Sequence, residues 1–157
     1  MSTDASPVAT EALAELVAAL PEGVVVTDAT TIEKYREDFA RDGSAGTPVA
    51  VVRAGTAEQV QTAVRWAAAH LVPIVPRGAG TGLSGGSSAV DGGITISLDR
   101  MRAISIDPQS QVAIVEPGAL NVEVKRAAAE HGLWYPPDPS SYEICSIGGN
   151  LATNAGG

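Results

Sequence analysis

Two glycine-rich segments carry the residues of this chain whose types and spacing suit ligand binding. The first reads PRGAGTGLSGG over residues 76–86. Glycines and small residues leave successive backbone N–H groups uncovered, and amides that curl around one point form an anion-binding nest. Arg77 adds a cation to that nest. A diphosphate is the ligand that such a loop would bind, although its composition is equally typical of a plain flexible loop.

The spacing of the glycines separates this loop from two well-known nucleotide motifs. Gly80, Gly82 and Gly85 form a G-x-G-x-x-G pattern, but in Rossmann units that pattern opens directly into a helix. Here the chain continues through SGGSSAVDGG towards a predicted strand. The G-K-[ST] of a P-loop is also missing from this segment. We therefore expect phosphate binding through the loop amides alone, without the dipole of a helix.

The second segment reads PPDPSSYEICSIGGNLATNAGG over residues 136–157. Its prolines restrict the backbone, and Gly148-Gly149 permits close backbone contact. The side chains of Asn150, Thr153 and Asn154 offer amide and hydroxyl groups that recognise heterocycle edges and sugar hydroxyls. Taken alone, the segment is more typical of a turn that caps a short helix. Because a nest-like loop begins about 60 residues earlier, we predict that the two segments together form a dinucleotide cradle.

A βαβ unit is predicted directly before the first loop. Strands at residues 49–53 and 74–76 flank a helix that begins after Thr56, and Gln59 completes a T-x-x-Q capping box. Pro73 ends this helix, and the two strands are expected to be parallel with a right-handed crossover. The apolar face of the helix is predicted to contain Val60, Val64, Ala67 and Leu71.

The remaining pattern adds elements of both kinds around this unit. The sequence predicts helices at 9–20, 31–39 and 121–131, the last ended by Gly132, and strands at 24–26, 94–98, 103–107 and 112–116. A parallel crossover combined with antiparallel-looking hairpins predicts an α+β fold. We expect an acidic helical region over residues 1–42, a polar linker at 40–47, and a binding domain over 48–157 that is incomplete at its C-terminus.

Charge and composition exclude several classes of protein. The 157 residues carry 18 acidic and 10 basic side chains, a net charge of −8. This balance argues against nucleic-acid partners and polybasic membrane anchors. Cys145 is the single cysteine, so no intrachain disulfide forms, and we expect it to be an inert packing residue. Neither a secretory signal nor a long apolar run is present, which predicts a cytoplasmic protein without a transmembrane segment.

Over residues 32–157 the two segments resemble the FAD-binding domain of the vanillyl-alcohol oxidase/p-cresol methylhydroxylase (PCMH) type. Within that group the chain is most similar to FAD-linked oxidases of the D-lactate dehydrogenase and glycolate oxidase flavoprotein-subunit kind. The resemblance implies a PCMH-type α+β fold and FAD as cofactor. The backbone around the pyrophosphate would be that of Arg77, Gly78, Ala79, Gly80, Thr81, Gly82, Leu83 and Ser84. The flavin and ribityl side would be lined by Pro137, Asp138, Ser140, Ser141, Gly148, Gly149, Asn150, Thr153, Asn154 and Ala155.

The resemblance also bears on how the flavin is attached. Many members of the superfamily bind FAD covalently through a histidine in the first loop, where this chain has Thr81. Its two histidines, His70 and His131, fall within or at the end of predicted helices. We therefore expect non-covalent FAD.

The activity implied by the resemblance is oxidation of a 2-hydroxy acid, of the D-lactate or glycolate type, by hydride transfer to flavin. In the resembling enzymes a C-terminal domain supplies the catalytic histidine and, in many cases, a metal site. No catalytic residue or metal ligand is assigned in this chain, and residues 1–157 alone are expected to be inactive. The substrate would bind through that further domain. An electron-acceptor protein or a quinone is a further expected partner, with peripheral attachment to the inner membrane through such partners. The alternatives are an alkylglycerone-phosphate synthase-like enzyme and a catalytically silent flavin-binding fragment.

Overall fold

Helices and strands are mixed along the chain in the computed structural model, which describes residues 10–41 and 43–157. This mixture confirms the predicted α+β class. The first residues of the acidic N-terminal region, including Ala9 of the predicted helix, lie outside the described residues. The elements in chain order are α1 (Thr10–Ala19), β1 (Val25–Val26), α2 (Ala29–Glu33), β2 (Ala50–Arg53), α3 (Ala57–Ala69), β3 (Ile74–Arg77), β4 (Ile94–Ser97), β5 (Ile104–Asp107), β6 (Val112–Val115), α4 (Asn121–Ala129) and α5 (Ile147–Thr153).

The larger sheet has the strand order β1-β2-β4-β3. The predicted βαβ strands β2 and β3 are parallel, and both pair with β4, which lies between them. All four residues of β4 are buried. The sequence of residues 94–98 predicts an alternation of buried and exposed residues, and this prediction is wrong because a central parallel strand is covered on both faces. Its residues Ile94 and Ile96 pack in the core with Leu16 of α1, Val52 of β2 and Trp66 of α3.

Helix α3 starts as predicted but buries a different face. The Thr56 side chain accepts the N–H of Gln59 at 3.3 Å, and Gln59 Oε1 accepts the N–H of Gly55 at 2.7 Å. The face against the core carries Ala63, Trp66 and Ala67. Val64 is 42% exposed and Leu71 is 91% exposed, so the prediction that they lie on the apolar face of this helix is wrong. Leu71 leaves the helical face because its backbone is left-handed, with φ of +54°.

Strands β5 and β6 form the predicted antiparallel hairpin, which packs against α4. The Asp107 carboxylate closes its turn by accepting the N–H groups of Gln109 and Ser110 at 3.0 and 3.3 Å. Gly132 follows α4 with φ of +69°, as expected of a glycine that ends a helix.

The region before β2 differs most from its prediction. Helix α2 begins after Asp28, whose side chain accepts the N–H of Thr31 at 2.8 Å, and it ends at Glu33 rather than near residue 39. The described part of the predicted linker is held in place: the Arg36 guanidinium donates to the carbonyls of Ala45 and Gly46 at 2.9 and 3.0 Å. None of the helices in residues 10–41 and 43–157 is long and apolar enough to cross a bilayer.

Candidate functional site

The first glycine loop (residues 77–86) leaves the sheet at the carboxyl end of β3. Ligands of open α/β sheets bind at this edge. Gly80 and Gly85 both have positive φ, of +73° and +75°, which curls the loop. Within the described part of the chain, the N–H groups of residues 80–84 donate to no other protein group. Several adjacent amides are therefore free to bind an anion.

Arg77 lies beneath this loop. It is 8% exposed, its Nη1 donates to the carbonyl of Ser87 at 3.1 Å, and a Cβ added at Gly80 would overlap its guanidinium. Burial lowers the pKa of Arg77, while the charge of Asp38 and the Tyr35 hydroxyl act in the opposite direction. The buried guanidinium therefore packs against the loop backbone at Gly80 and places a positive charge beside the loop amides.

A charged cluster that sequence reasoning missed lies at the same edge of the sheet. The Tyr35 hydroxyl and Arg53 Nη2 both donate to Asp99 Oδ2, at 3.3 and 3.0 Å. The Arg53 and Arg77 guanidiniums lie 6.0 and 5.9 Å from the centre of the Tyr35 ring. Burial raises the pKa of Asp99, but hydrogen bonds from Ser97 and Arg53 outweigh it and hold this pKa below its ordinary value. The sequence did contain a signal for this cluster, because a charged residue stands at or just after the end of each parallel strand: Arg53, Arg77 and Asp99.

The second glycine-rich segment folds into α5 and contacts the first loop. Ser146 precedes α5, and its Oγ accepts the N–H of Ala79 at 3.3 Å. A Cβ added at Gly78 would overlap this oxygen and lie 3.7 Å from the backbone nitrogen of Gly149. The structure therefore brings the two segments together, as the cradle hypothesis requires.

Not every residue of the second segment is free to bind a ligand. Gly148 is needed for packing, because a Cβ there would lie 2.7 Å from the Cβ of Pro117. The Thr153 hydroxyl donates to the carbonyl of Gly149 at 2.9 Å. The Asp138 carboxylate accepts from Lys125 at 2.8 Å, and the carbonyl of Pro137 accepts from Asn121 at 3.3 Å. These contacts fix the shape of the segment.

Other residues of the segment keep their side chains available. Asn150 is 7% exposed, and its Nδ2 has no partner in the described chain. Ser140 and Asn154 are exposed, Ser141 is half-buried, and Asn154 ends α5 with φ of +52°. Free amides in the first loop and a buried free donor in the second fit a ligand with a diphosphate and a heterocycle.

Neither the histidines nor the cysteine belongs to the first loop. His70 follows α3, and its Nε2 lies 3.0 Å from Glu15 Oε2. His131 follows α4, where its N–H donates to the carbonyl of Ala128 at 3.0 Å. Cys145 is 3% exposed and precedes Ser146. Among residues 10–41 and 43–157, no three His, Cys, Asp or Glu side chains lie close enough together to hold a metal ion.

Comparison with curated proteins gives relatives that are much longer than this chain. D-2-hydroxyglutarate dehydrogenase of Stutzerimonas stutzeri (strain A1501) is 39% identical over 144 residues, which is 91% of this chain and 31% of the relative. Glycolate oxidase subunit GlcD of Escherichia coli (strain K12) is 45% identical over 111 residues, covering 70% of this chain and 22% of the relative. The chain thus spans about a third of the first relative's length and less of the second's.

Solved structures share the same architecture. An alkyldihydroxyacetonephosphate synthase matches with a TM-score of 0.83 at 24% identity, covering 94% of this chain and 32% of the other. p-Cresol methylhydroxylase with substrate bound matches with a TM-score of 0.75 at 28% identity, covering 90% and 28%. The fold is therefore of the PCMH type. The FAD binding domain family matches residues 48–157, which carry both glycine-rich segments. The chain belongs to the family of FAD binding domains, and FAD is its cofactor.

Proposed function

We propose that this chain is the FAD-binding part of an FAD-linked oxidoreductase that oxidises a 2-hydroxy acid, of the D-lactate or glycolate type. The observation that carries the proposal is the contact between Gly78 and Ser146, which joins the free amides of the first loop to the helix that holds Asn150. The relatives named D-2-hydroxyglutarate dehydrogenase and glycolate oxidase support the 2-hydroxy acid class of substrate.

The residues of this chain bind and orient the cofactor in this proposal. The backbone of residues 77–84 would hold the diphosphate, with the buried Arg77 charge below it. Asn150 Nδ2 would donate to the flavin or ribityl side, since no acceptor among the described residues satisfies it. FAD, when bound, supplies the hydride acceptor. The substrate and the electron-acceptor protein or quinone would bind through a further domain. That domain would also supply the catalytic base.

The cofactor assignment is tested by adding FAD or FMN to the purified chain and measuring the quenching of flavin fluorescence. FMN is the matched control because it has the same ring system but lacks the diphosphate. We expect FAD to bind at least a hundredfold more tightly than FMN, since the loop amides would each add a charge-assisted hydrogen bond. Equal binding of the two flavins, or no binding of FAD, would contradict the proposal.

The substrate class is tested on the longest polypeptide that the gene encodes, loaded with FAD under anaerobic conditions. We expect D-2-hydroxyglutarate, D-lactate or glycolate to bleach the flavin absorbance. FAD binding without bleaching by any 2-hydroxy acid would instead favour a synthase-like enzyme or a catalytically silent flavin-binding fragment. The match to the synthase structure supports a shared fold alone, since the two chains are only 24% identical.

A further inference from the structure

We infer that Asp38 is a positioning residue for the first glycine loop, and that residues 36–40 form part of the diphosphate site. This segment precedes the matched FAD binding domain, which begins at residue 48. The inference rests on the proposed cofactor site, and it adds to that site a segment of the acidic helical region that the sequence predicts over residues 1–42.

The segment is joined to both ends of the loop by backbone hydrogen bonds. The N–H of Phe39 donates to the carbonyl of Gly80 at 3.1 Å, near the start of the loop. The N–H of Ala89, which follows the loop, donates to the carbonyl of Arg36 at 2.7 Å. Between these two bonds, the N–H of Asp38 lies 3.4 Å from the hydroxyl of Ser88. Residues 36–40 therefore hold the two ends of the loop together.

The Asp38 side chain is buried, with one oxygen satisfied and one free. The residue is 3% exposed, and its Oδ1 accepts the N–H of Ala40 at 2.9 Å. Its Oδ2 is buried and has no partner in the described chain. The same oxygen lies 3.5 Å from the position that a Cβ of Gly82 would occupy. A buried carboxylate oxygen without a donor is costly, so its presence beside free loop amides needs an explanation.

The free amides of the loop supply that explanation. Neither Thr81 nor Gly82 donates its N–H to a protein group among the described residues. In the FAD-bound protein, one of these amides donates to Asp38 Oδ2, and the remaining loop amides face the phosphates. This bond forms as FAD binds and stabilises the curl of the loop around the diphosphate, so it adds to the affinity for the cofactor. The nearby Arg77 charge compensates the carboxylate beneath an anion site.

The variant Asp38→Asn tests the role because it preserves shape and reverses the polarity of one atom. The amide oxygen takes the place of Oδ1 at Ala40, and the NH₂ group then faces Gly82 and Arg77 as a donor. We expect FAD to bind this variant about tenfold more weakly than the wild type in the fluorescence titration. ADP, which carries the diphosphate without the flavin, should lose affinity by the same factor when it competes with FAD.

Two further variants make the test specific. Glu130→Gln removes the same charge at an exposed position after α4, and it should leave FAD and ADP affinity unchanged. Asp38→Ser keeps an oxygen for the N–H of Ala40 but removes Oδ2. If Asp38→Asn fails to fold, the same loss of FAD and ADP affinity is expected of Asp38→Ser. Without FAD, the melting temperatures of folded variants should stay within about 4 °C of the wild type, a change of about 1 kcal/mol or less.

The outcomes separate this inference from the proposed function. If the wild type binds FAD and Asp38→Asn binds it equally or more tightly, the carboxylate only repels phosphate and the inference is wrong. A loss of FAD affinity without a matching loss of ADP affinity would also overturn it, because the residue would then act on the flavin end. If the wild type binds no FAD, the proposed function itself fails, and the inference fails with it.

Discussion

The backbone of Gly78 lies directly against the hydroxyl of Ser146, which belongs to the other glycine-rich segment. A Cβ at residue 78 would overlap Ser146 Oγ and lie 3.6 Å from Ser146 Cβ. The same hydroxyl accepts the N–H of Ala79 at 3.3 Å. One serine therefore joins the first glycine loop to the second glycine-rich segment, and residue 78 must be glycine because of this close approach.

The first prediction concerns this contact. Gly78→Ala should weaken FAD binding at least tenfold and lower the free energy of unfolding by about 1–3 kcal/mol, because the added methyl displaces the Ser146 hydroxyl. In the double variant with Ser146→Ala, the methyl at residue 78 has room, and part of the loss should be recovered. FAD titration and urea unfolding of the four proteins give the coupling. Simple addition of the two single effects would show that the contact does not link the segments.

A second prediction compares two glycines that share a left-handed backbone. Gly80 has φ of +73° with the Arg77 guanidinium where a Cβ would lie, whereas Gly132 has φ of +69° and nothing within 4 Å of that position. Gly80→Val should abolish FAD binding, because it displaces Arg77 and distorts the loop. Gly132→Ala should cost about 1 kcal/mol of stability and leave the affinity for FAD unchanged. Equal flavin occupancy in the Gly80→Val variant and the wild type would contradict the assignment of the loop.

The sequence revealed those parts of the fold that depend on local chemistry. The Thr56 cap, the turn at Asp107 and the end of α4 at Gly132 are each set by residues within a few positions. The central position of β4 was not predictable in this way, because a strand inserts between two others through distant pairings. Strands β5 and β6 have the same length as β4, but none of their residues is buried, whereas all four residues of β4 are. Strand length in the sequence therefore did not distinguish the central strand from the hairpin.

The site was predictable to a similar extent. Both glycine-rich segments stand out by composition, and their meeting at Gly78 and Ser146 agrees with the prediction of a single cradle. Helix α5 was expected only as a short helix without bounds, because Gly148-Gly149 weakens any helical pattern. The contact of Gly148 with Pro117, which requires a glycine there, is visible only in the structure. The role of residues 36–40 was also hidden, since their backbone bonds to the loop involve no distinctive side chain.

A third prediction concerns the attachment of the flavin. Thr81 lies in the first loop, where many of the resembling enzymes carry the histidine that binds FAD. His70 follows the C-terminal end of α3 and contacts Glu15. The first loop, residues 77–86, contains no histidine that could form a bond to the flavin. Mild denaturation should release FAD completely from the reconstituted protein. Flavin fluorescence that migrates with the polypeptide on a denaturing gel would contradict this expectation.

A fourth prediction concerns acid stability. The pKa of Asp99 is held below its ordinary value in the folded chain, so its stabilising contribution is present above the unfolded pKa of about 3.9 and is lost as the pH falls through the lower folded value. Asp99→Asn should therefore lower the urea midpoint at pH 7, and this difference from the wild type should shrink at pH 3. Glu130→Gln, at an exposed position after α4, is the control and should show little difference at pH 7. A difference for Asp99→Asn that is the same at both pH values would exclude the charge of Asp99 as its cause.

The fifth prediction is that residues 1–157 loaded with FAD show no bleaching with 2-hydroxy acids. The site described above holds a cofactor, whereas orientation of a substrate contributes about 7–11 kcal/mol to catalysis and a general base a further factor of about 10²–10⁴. Anaerobic spectra recorded with a panel of D- and L-2-hydroxy acids provide the measurement. Bleaching at rates of about 1–10³ per second would reveal catalytic groups within this chain.

The order of strands also has a consequence for how the chain folds as it is synthesised. Strands β2 and β3 emerge before β4 but are not neighbours in the sheet, and each pairs with β4. Until residues 94–97 leave the ribosome, the edges that will flank β4 stay unpaired and the first glycine loop has no finished sheet to hold its base. Closing the sheet through this late strand is a non-local event, so folding should be slow and cooperative, with the cofactor loop among the last parts to take shape.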